Sequence, residues 1–242
     1  MKVDCQFTPL MISGRENNDP VFVVIDVLRA TSTIVTAFMN GCRSILPVAE
    51  VEEALRLAED SREKVLLGGE RGGLIVEGFD LGNSPLEYTP GRIRGQTVVF
   101  TTTNGSRAFR ALPKGATGVV ASFLNLRAVG GYCVREGRDV VVILSGREGG
   151  FSLEDAVCGG GVAAVVRKEL GETAELTDSA LASRILYDHF REDLVGMFKA
   201  SFHGRHLVRI GAEQDLRYCA QLDLTEIVPL YRDGRIELSG RN

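Results

Sequence analysis

Short valine- and isoleucine-rich runs alternate with amphipathic segments between residue 20 and about residue 170, and this alternation limits the folds open to the chain. The runs are nearly continuous in apolar residues, which is typical of parallel strands buried on both faces. The segments between them carry apolar residues at helical spacing. The pattern predicts βαβ units and therefore an α/β fold, with helices on both faces of a largely parallel sheet in a three-layer α/β/α arrangement.

The predicted elements follow this alternation. Strands are expected at 21–26, 44–48, 64–68, 97–102, 117–121 and 139–145, and helices at 31–41, 51–61, 105–112, 124–136 and 153–169. Residues 69–95 interrupt it with a glycine-rich stretch that keeps several large apolar side chains. A long segment of this kind in a compact domain is usually functional, so we expect an ordered lid or binding loop there.

The pattern changes after residue 176. We expect helical structure at 179–200 and two short helices at 203–211 and 213–221. A final strand pair is expected at 225–230 and 234–238. Residues 1–175 are therefore expected to form an α/β core with most of the active site. Residues 176–242 are expected to form a helical C-terminal subdomain packed on that core, with a single domain overall as the alternative.

Composition excludes several classes of protein. The net charge of −4 provides no field that favours nucleic acid, and no segment approaches the ~20 apolar residues of a membrane span. The five cysteines form no C-x-x-C pair and fit no zinc template, which indicates reduced thiols. We expect a cytoplasmic protein without nucleic-acid or membrane partners, and a homo-oligomer remains open.

Four predicted strands run into polar loops. The loops contain Asp26 to Ser32, Glu70 with Arg71, Thr101 to Arg107, and Ser145 to Asp155. Ligands of open α/β sheets bind beyond the carboxyl ends of the strands, so parallel strands would bring these loops to one site. Carboxylates for a metal and donors for an anion together indicate phosphoryl transfer.

Several known phosphate sites are absent from the sequence. There is no G-x-x-x-x-G-K-[ST] loop and no G-x-G-x-x-G. No cysteine has an arginine six positions later, Asp26 lacks a second aspartate two positions on, and Phe202 precedes His203-Gly204 where histidine phosphatases have arginine.

Each carboxylate candidate has a structural alternative. Asp26 ends an apolar strand and would face the site or pair with Arg29. Glu70 stands between two glycine pairs, which permit close approach of a ligand or form a plain turn. Glu154 and Asp155 follow Ser152 at capping-box spacing, so one of them is expected to cap a helix, although Mg²⁺ also takes one or two carboxylates at such places.

The donor candidates also have two interpretations. Thr31 and Ser32 open a helix, where they would cap it or present its N–H groups to an anion. The segment from Thr101 to Ser106 would form a strand edge with an Asn104 cap, or contact an anion. His203 would be an exposed histidine at a helix start or a ligand of the substrate.

These motifs, taken together, resemble the 2-phosphosulfolactate phosphatase family. The shared motifs are D-V-L-R-A-T-S-T at 26–33, G-G-E-R-G-G at 68–73, G-F-D-L-G-N-S-P-x-E at 78–87, T-T-T-N-G-S at 101–106, S-G-x-x-G-G-x-S-x-E-D at 145–155 and H-G at 203–204. The resemblance implies an α/β/α fold and a Mg²⁺-dependent hydrolase that removes phosphate from 2-phospho-3-sulfolactate. In methanogens this step leads towards coenzyme M.

With this resemblance, we expect Asp26 and Arg29 to be catalytic and Mg²⁺ to lie near Asp26, Glu70, Glu154 and Asp155. Arginine forks suit oxyanions. The expected substrate contacts are Thr31, Ser32, Arg71, Asn83, Ser84, Thr103, Asn104, Gly105, Ser106, Arg107, Ser145 and His203.

Either a metal-bound water or Asp26 is expected to attack the phosphorus atom. Two further alternatives are a phosphatase for another phosphorylated hydroxy acid and an anion-binding sensor without turnover.

Overall fold

The computed structural model describes residues 1–11 and 19–238, so the end of the predicted C-terminal segment, 239–242, lies outside the described residues. One sheet of eleven strands forms the centre of this part of the chain. The strands are β1 (Lys2–Gln6), β2 (Val21–Ile25), β3 (Ser44–Val48), β4 (Leu66–Arg71), β5 (Leu74–Ile75), β6 (Thr97–Thr101), β7 (Gly118–Ala121), β8 (Val140–Leu144), β9 (Glu175–Leu176), β10 (Pro229–Arg232) and β11 (Arg235–Leu238).

The strand order is β5-β4-β6-β3-β11-β10-β7-β2-β8-β1-β9. Two groups of strands, β4-β6-β3 and β7-β2-β8-β1-β9, are parallel throughout. The antiparallel pairs are those of β5 with β4 and of the hairpin β10–β11 with its neighbours. The prediction of a largely parallel sheet is confirmed.

The described helices are α1 (Ala30–Met39), α2 (Val51–Asp60), α3 (Pro90–Ile93), α4 (Gly105–Arg110), α5 (Leu126–Glu136), α6 (Leu153–Leu170), α7 (Asp178–Phe190), α8 (Leu194–Ala200), α9 (Phe202–Arg209) and α10 (Glu213–Cys219). The β2 side chains alternate between two cores. Val21, Val23 and Ile25 pack in one core with α5 and α6, while Phe22 and Val24 pack in the other with α1 and α4. Helices therefore cover both faces, which confirms the three-layer α/β fold.

The C-terminal segment differs from its prediction in one helix and one strand, and it is built into the sheet. The helix expected over 179–200 is two helices, because the chain turns before Asp193, whose carboxylate accepts a hydrogen bond from Gly196 N (2.8 Å) and so begins α8. The final strand pair forms, with its first strand at Pro229–Arg232 where 225–230 was expected, and it lies between the two parallel groups. The boundary at residue 175 stays a prediction.

The hairpin joins the two groups near the amino ends of their strands. Ile236 of β11 pairs with Ile45 at the start of β3, and β10 pairs with Gly118 and Val119 at the start of β7. The carboxyl ends remain available for loops and helix starts, which meet there directly. An ideal Cβ on Gly105, the first residue of α4, would lie 2.6 Å from the Cβ of Ala30, the first residue of α1.

The segment 69–95 is ordered, as expected for a lid or binding loop, and contains β5, α3 and a single turn at Pro85–Glu87. All five cysteines are buried, and burial raises the pKa of the Cys5 and Cys133 thiols to about 12. Within the described ranges, no helix has both the length and the apolar character needed to cross a bilayer.

Candidate active site

A cavity of about 190 Å³ lies where the loops after β2, β4, β6 and β8 meet the start of α9. Seven of the residues proposed from the sequence line it, namely Asp26, Arg29, Glu70, Asn83, Thr103, Asn104 and His203. The strand-end argument therefore located this cavity.

Asp26 is one of the carboxylates that line this cavity. It directly follows β2 and is 8% exposed. Burial raises the pKa of Asp26 to about 7, and the nearby charges of Glu70 and Glu154 add to this effect, against the N–H of Ala30 and the charge of Arg29. The group is therefore poised to change protonation near neutral pH.

The loop after Asp26 is shaped by the two hydroxyls expected to contact substrate. Thr31 Oγ1 accepts a hydrogen bond from Asp26 N (3.1 Å) and donates one to Asp26 O (2.9 Å). Ser32 Oγ donates to Val27 O (2.8 Å). Both side chains are fully buried, so they hold the loop around Asp26, and neither lines the cavity.

Arg29 lies beside Asp26 with much of its guanidinium already bound by the protein. Nη1 donates to Asp215 Oδ2 (2.7 Å) and Nη2 donates to Gly73 O (2.6 Å). Its Nε is buried without a hydrogen-bond partner among the described residues. Leaving a buried donor unpaired costs about 1–3 kcal/mol, more for a charged group, so an anion that bonded to it would be stabilised.

Glu70 organises two loops. Its Oε1 accepts a hydrogen bond from Thr103 N (2.8 Å), and its Oε2 accepts from Gly73 N (2.7 Å) and from Thr103 Oγ1 (3.3 Å). The left-handed backbone at Gly73, with φ of 86°, suits glycine and turns the chain back towards Glu70.

Glu154 and Asp155 are buried at the start of α6. The capping box expected here, with one of these acids as a cap, does not form, because Ser152 is the N-cap residue and its side chain makes no cap hydrogen bond. Asp155 Oδ1 accepts from Val27 N (2.9 Å), which ties α6 to the Asp26 loop. Burial raises the pKa of both carboxyls, and Asp26 contributes to the increase at Asp155.

These carboxylates bear on the expected Mg²⁺ site. Over residues 1–11 and 19–238, no three His, Cys, Asp or Glu side chains are grouped closely enough to hold a metal by themselves. Mg²⁺ usually takes only one or two carboxylates and completes its shell with water and substrate phosphate. Asp26 and Glu70 line the cavity, while Glu154 and Asp155 are buried at the start of α6 outside its lining. The charges of Glu70 and Glu154 both reach Asp26, so one of them beside Asp26 would meet that requirement.

Two arginines expected to bind substrate lie outside the cavity lining. Arg71 donates to Glu70 O, Ala49 O and Thr101 Oγ1, so it braces the ends of β4 and β6. The side chain of Arg107 is 67% exposed and lies 4.0 Å from the Glu50 carboxylate.

Four other expected substrate contacts also lie outside the lining. Ser84 Oγ donates to Asp215 Oδ1 (2.6 Å), and Ser106 Oγ accepts from Thr102 N (2.9 Å). Ser145 Oγ is buried without a partner in the described part of the chain. Gly105 stands directly behind Asp26, where a Cβ would lie 2.7 Å from Asp26 Oδ2.

His203 lies in the cavity wall and is partly buried, which differs from the exposed position considered as its alternative. Burial and the charge of Arg29 lower its pKa to about 4, so the imidazole is neutral at neutral pH. Its ring stacks on His206 with centroids 5.9 Å apart, and His206 Nε2 donates to Gly72 O (2.9 Å).

Sequence reasoning missed several residues of the site. Arg147 lines the cavity with its guanidinium 3.7 Å from the centre of the Phe202 ring, and it is paired loosely with Glu148 at 3.4 Å. Arg147 follows the end of β8, so the strand-end rule could have found it. Asp215 has no such signal, because it lies on α10 and is 186 residues from Arg29 in the sequence.

Buried carboxylates facing arginine and amide donors at the carboxyl edge of a parallel sheet define an anion-binding α/β protein suited to phosphoryl transfer. The family profile described as 2-phosphosulpholactate phosphatase matches residues 6–234. The chain belongs to this family, which confirms the resemblance seen in the motifs.

Curated relatives match most of the chain. A protein of Clostridium acetobutylicum is 38% identical over 98% of this chain and 100% of its own length, and one of Symbiobacterium thermophilum is 42% identical over 90% and 94%. A Microcystis aeruginosa protein is 39% identical over 88% of this chain and 90% of its own. Each is named probable 2-phosphosulfolactate phosphatase.

Proposed function

We propose that this protein is a phosphoric monoester hydrolase that converts 2-phospho-3-sulfolactate to sulfolactate and phosphate, with Mg²⁺ as cofactor. The observation that supports it best is the placement of Asp26, buried between Glu70 and Arg29, in a cavity of a chain that belongs to the phosphatase family. The cavity of about 190 Å³ suits a small ester.

The charges of the site suit a substrate with three acidic groups. Arg29 and Arg147 both line the cavity, Arg29 with an Nε that has no partner among the described residues and Arg147 with its guanidinium over the Phe202 ring. Asn83, Thr103 and Asn104 add polar groups to the lining. Fixed donors of this kind stabilise the charge of a phosphoryl group without reorganisation during the reaction.

Asp26 is proposed to act at phosphorus. Its pKa near 7 allows it to accept a proton from an attacking water, or to attack as a carboxylate and form an acyl phosphate that water then hydrolyses. In both routes the bond from phosphorus to the ester oxygen breaks as sulfolactate leaves. The ester oxygen takes its proton from protonated Asp26 in the first route and from solvent water in the second.

Asp26 would hold Mg²⁺ together with Glu70 or Glu154, the two carboxylates whose charges reach it, and Asp155 would be a neighbour. The ion would neutralise phosphoryl oxygens as charge develops. Glu70 would keep the loops at Gly73 and Thr103 in place through its three hydrogen bonds.

We also propose a cytoplasmic enzyme of a coenzyme M type pathway. The five buried cysteine side chains support the location, since thiols stay reduced in that compartment.

Phosphate release tests the function. The purified protein is given 2-phosphosulfolactate, 2-phospholactate or phosphoglycolate, each with Mg²⁺ or with a chelator. We expect Mg²⁺-dependent release that prefers the sulfonated ester, and none from Asp26→Asn. Release from the other esters alone would indicate a different hydroxy acid, and binding without release would indicate a sensor. Full activity of Asp26→Asn would contradict both proposed roles of Asp26.

A further inference from the structure

Asp215 reaches the active site from the C-terminal part of the chain. It lies on α10, and its Oδ2 accepts a hydrogen bond from Arg29 Nη1 at 2.7 Å. Only 4% of the Asp215 side chain and 5% of the Arg29 side chain are exposed. The pair is therefore shielded from solvent, unlike the surface ion pairs of the same helix, such as that of Glu213 with Lys199.

The two carboxylate oxygens of Asp215 serve different segments. Oδ1 accepts from Ser84 Oγ (2.6 Å), which belongs to the segment 69–95, while Oδ2 holds Arg29 in the loop after β2. Arg29 Nη2 donates to Gly73 O in the same segment. Asp215 and Arg29 thus connect three parts of the chain that are remote in sequence.

These contacts fix the plane of the Arg29 guanidinium, since Nη1 is bound to an oxygen on α10 and Nη2 to an oxygen in the turn between β4 and β5. The guanidinium is planar, so the direction of Nε–H follows from the other two nitrogens. Nε is buried without a partner among the described residues, and Arg29 lines the cavity.

We propose that Asp215 is a positioning residue, which orients Arg29 so that its remaining donors meet the anionic group in the cavity. This inference rests on the proposed function. Through Ser84, Asp215 also holds the segment 69–95 against the site. A purely structural ion pair would not need Arg29 to line the cavity, as it does here.

Asp215→Asn is the main variant, because it keeps the shape of the side chain and an acceptor for Ser84 while it removes the charge that faces Arg29. We expect kcat to fall roughly 10²-fold, with a smaller change in KM, because small displacements of a positioned group have effects of this size. Glu213→Gln is the matched control, since it removes an exposed carboxylate of the same helix. It is expected to keep kcat and KM within about twofold.

A double-mutant cycle separates positioning from stability. If Asp215 acts through Arg29, Asp215→Asn has little further effect on kcat in an Arg29→Lys background, so the two losses are not additive. Ser84→Ala is the second variant, for use if Asp215→Asn fails to fold, and it is expected to lower kcat less. Additive losses, or unchanged kcat and KM in folded Asp215→Asn, would overturn the proposal.

Measuring the binding of inorganic phosphate tests the positioning role of Asp215 separately from the proposed phosphatase activity. Titration calorimetry is expected to show binding about tenfold weaker in Asp215→Asn than in the wild type, and unchanged in Glu213→Gln. A wild type that binds phosphate but releases none from any ester would refute the phosphatase and leave the positioning role supported by the binding data. Equal phosphate binding by wild type and Asp215→Asn would refute the positioning role.

Discussion

The two arginines that line the cavity are held in different ways, and the difference suggests different tasks. Arg29 is buried, with Nη1 and Nη2 bound to the protein, whereas the Arg147 side chain is 34% exposed and rests on Phe202. Its ion-pair partner Glu148 is 73% exposed and lies at 3.4 Å, so most of the donors of Arg147 are available to a ligand. The guanidinium can be rigid without being saturated, because the aromatic face fixes its plane.

Arg147→Gln is therefore expected to lower kcat/KM for 2-phosphosulfolactate about 10- to 100-fold, because a hydrogen bond between charged groups contributes about 1.5–3 kcal/mol. The loss is expected to be smaller for 2-phospholactate, which lacks the sulfonate. Steady-state kinetics of the wild type and of Arg147→Gln on the two esters measures both losses of kcat/KM.

Arg107→Gln controls for the loss of a positive charge near the site, since Arg107 is exposed and lies outside the cavity lining. Equal losses on the two esters for Arg147→Gln would show that Arg147 does not distinguish the sulfonate. If Arg147→Gln loses no kcat/KM on either ester, Arg147 does not contact the substrate.

Asp26 makes the protein without metal sensitive to pH. Its pKa is raised from 3.8 to about 7, so the folded state holds this proton more tightly than the unfolded chain does. The stability gained in this way is fully present below pH 3.8 and is lost as the pH rises through about 7.

Asp26→Asn removes this loss. In the presence of a chelator, we expect the free energy of unfolding of the variant to exceed that of the wild type by roughly 1–3 kcal/mol at pH 8, and by little or nothing at pH 4. Urea unfolding at the two pH values measures the difference. An Asp26→Asn protein that is less stable than the wild type at pH 8 would mean that Asp26 is stabilised as a carboxylate.

At the scale of elements, the start of α4 shows how closely the site is packed. A Cβ on Gly105 would lie 2.7 Å from Asp26 Oδ2 and 2.6 Å from the Cβ of Ala30. Gly105→Ala must therefore move α1, α4 or Asp26, and it is expected to cost about 1–3 kcal/mol of stability and to lower kcat.

Gly91→Ala is the matched control, because Gly91 also lies in a short helix and a Cβ there would meet nothing within 4 Å. We expect this change to be neutral or stabilising by up to ~1 kcal/mol. Denaturant unfolding and kcat are measured for both variants. If Gly105→Ala keeps wild-type stability and kcat, the contact between the two helix starts does not constrain Asp26.

Elements with strong local patterns could be predicted, and those defined by distant contacts could not. The buried strands β2, β6 and β8 were expected within a residue or two, because a continuous apolar run needs no partner to be recognised. The short edge strands β5 and β9, of two residues each, carry no such pattern. The break between α7 and α8 was not predicted, because the apolar spacing of a helix continues across it. The cap at Asp193 that begins α8 is a single local hydrogen bond.

The residues of the site likewise divide into those that a local pattern predicts and those that distant contacts position. Asp26 and Glu70 stand at strand ends, so the topology alone brings them to one edge. The sequence could not show that Arg71 turns towards Ala49 O, that Thr31 and Ser32 hold the loop, or that the carboxylate facing Arg29 comes from α10. Each of these depends on side-chain directions that are set by packing.

At the scale of the whole molecule, the hairpin β10–β11 joins the two parallel groups of strands, and α10 of the same C-terminal segment provides Asp215. An independent subdomain would be expected to contribute to the site across a boundary with few contacts. Here strands from residues 229–238 lie inside the sheet, between β3 and β7. We therefore expect the C-terminal segment to unfold together with the rest of the chain.

Ile236→Ala tests this, because Ile236 is fully buried in the hairpin and its truncation should cost about 2–5 kcal/mol. Ile75→Ala, the same change at a position that is 51% exposed on β5, is the control and should stay within about 0.5 kcal/mol of the wild type. The chain has no tryptophan, so Tyr132→Trp in α5 and Tyr231→Trp in β10 would each supply a single fluorescent reporter.

Urea unfolding is followed by fluorescence in each reporter protein, with and without Ile236→Ala. One cooperative unit gives coincident transitions for both reporters and the same shift of both on Ile236→Ala. Two separate transitions, with only that of the reporter at position 231 shifted, would place a domain boundary near residue 175. In that case the partner of Arg29, Asp215, would unfold with the C-terminal segment while the core stays folded. Activity should then be lost at a lower urea concentration than the fluorescence signal of the reporter at position 132. If the chain is one unit, activity and both signals are lost together, because the contact that orients Arg29 is part of the same cooperative structure as the sheet.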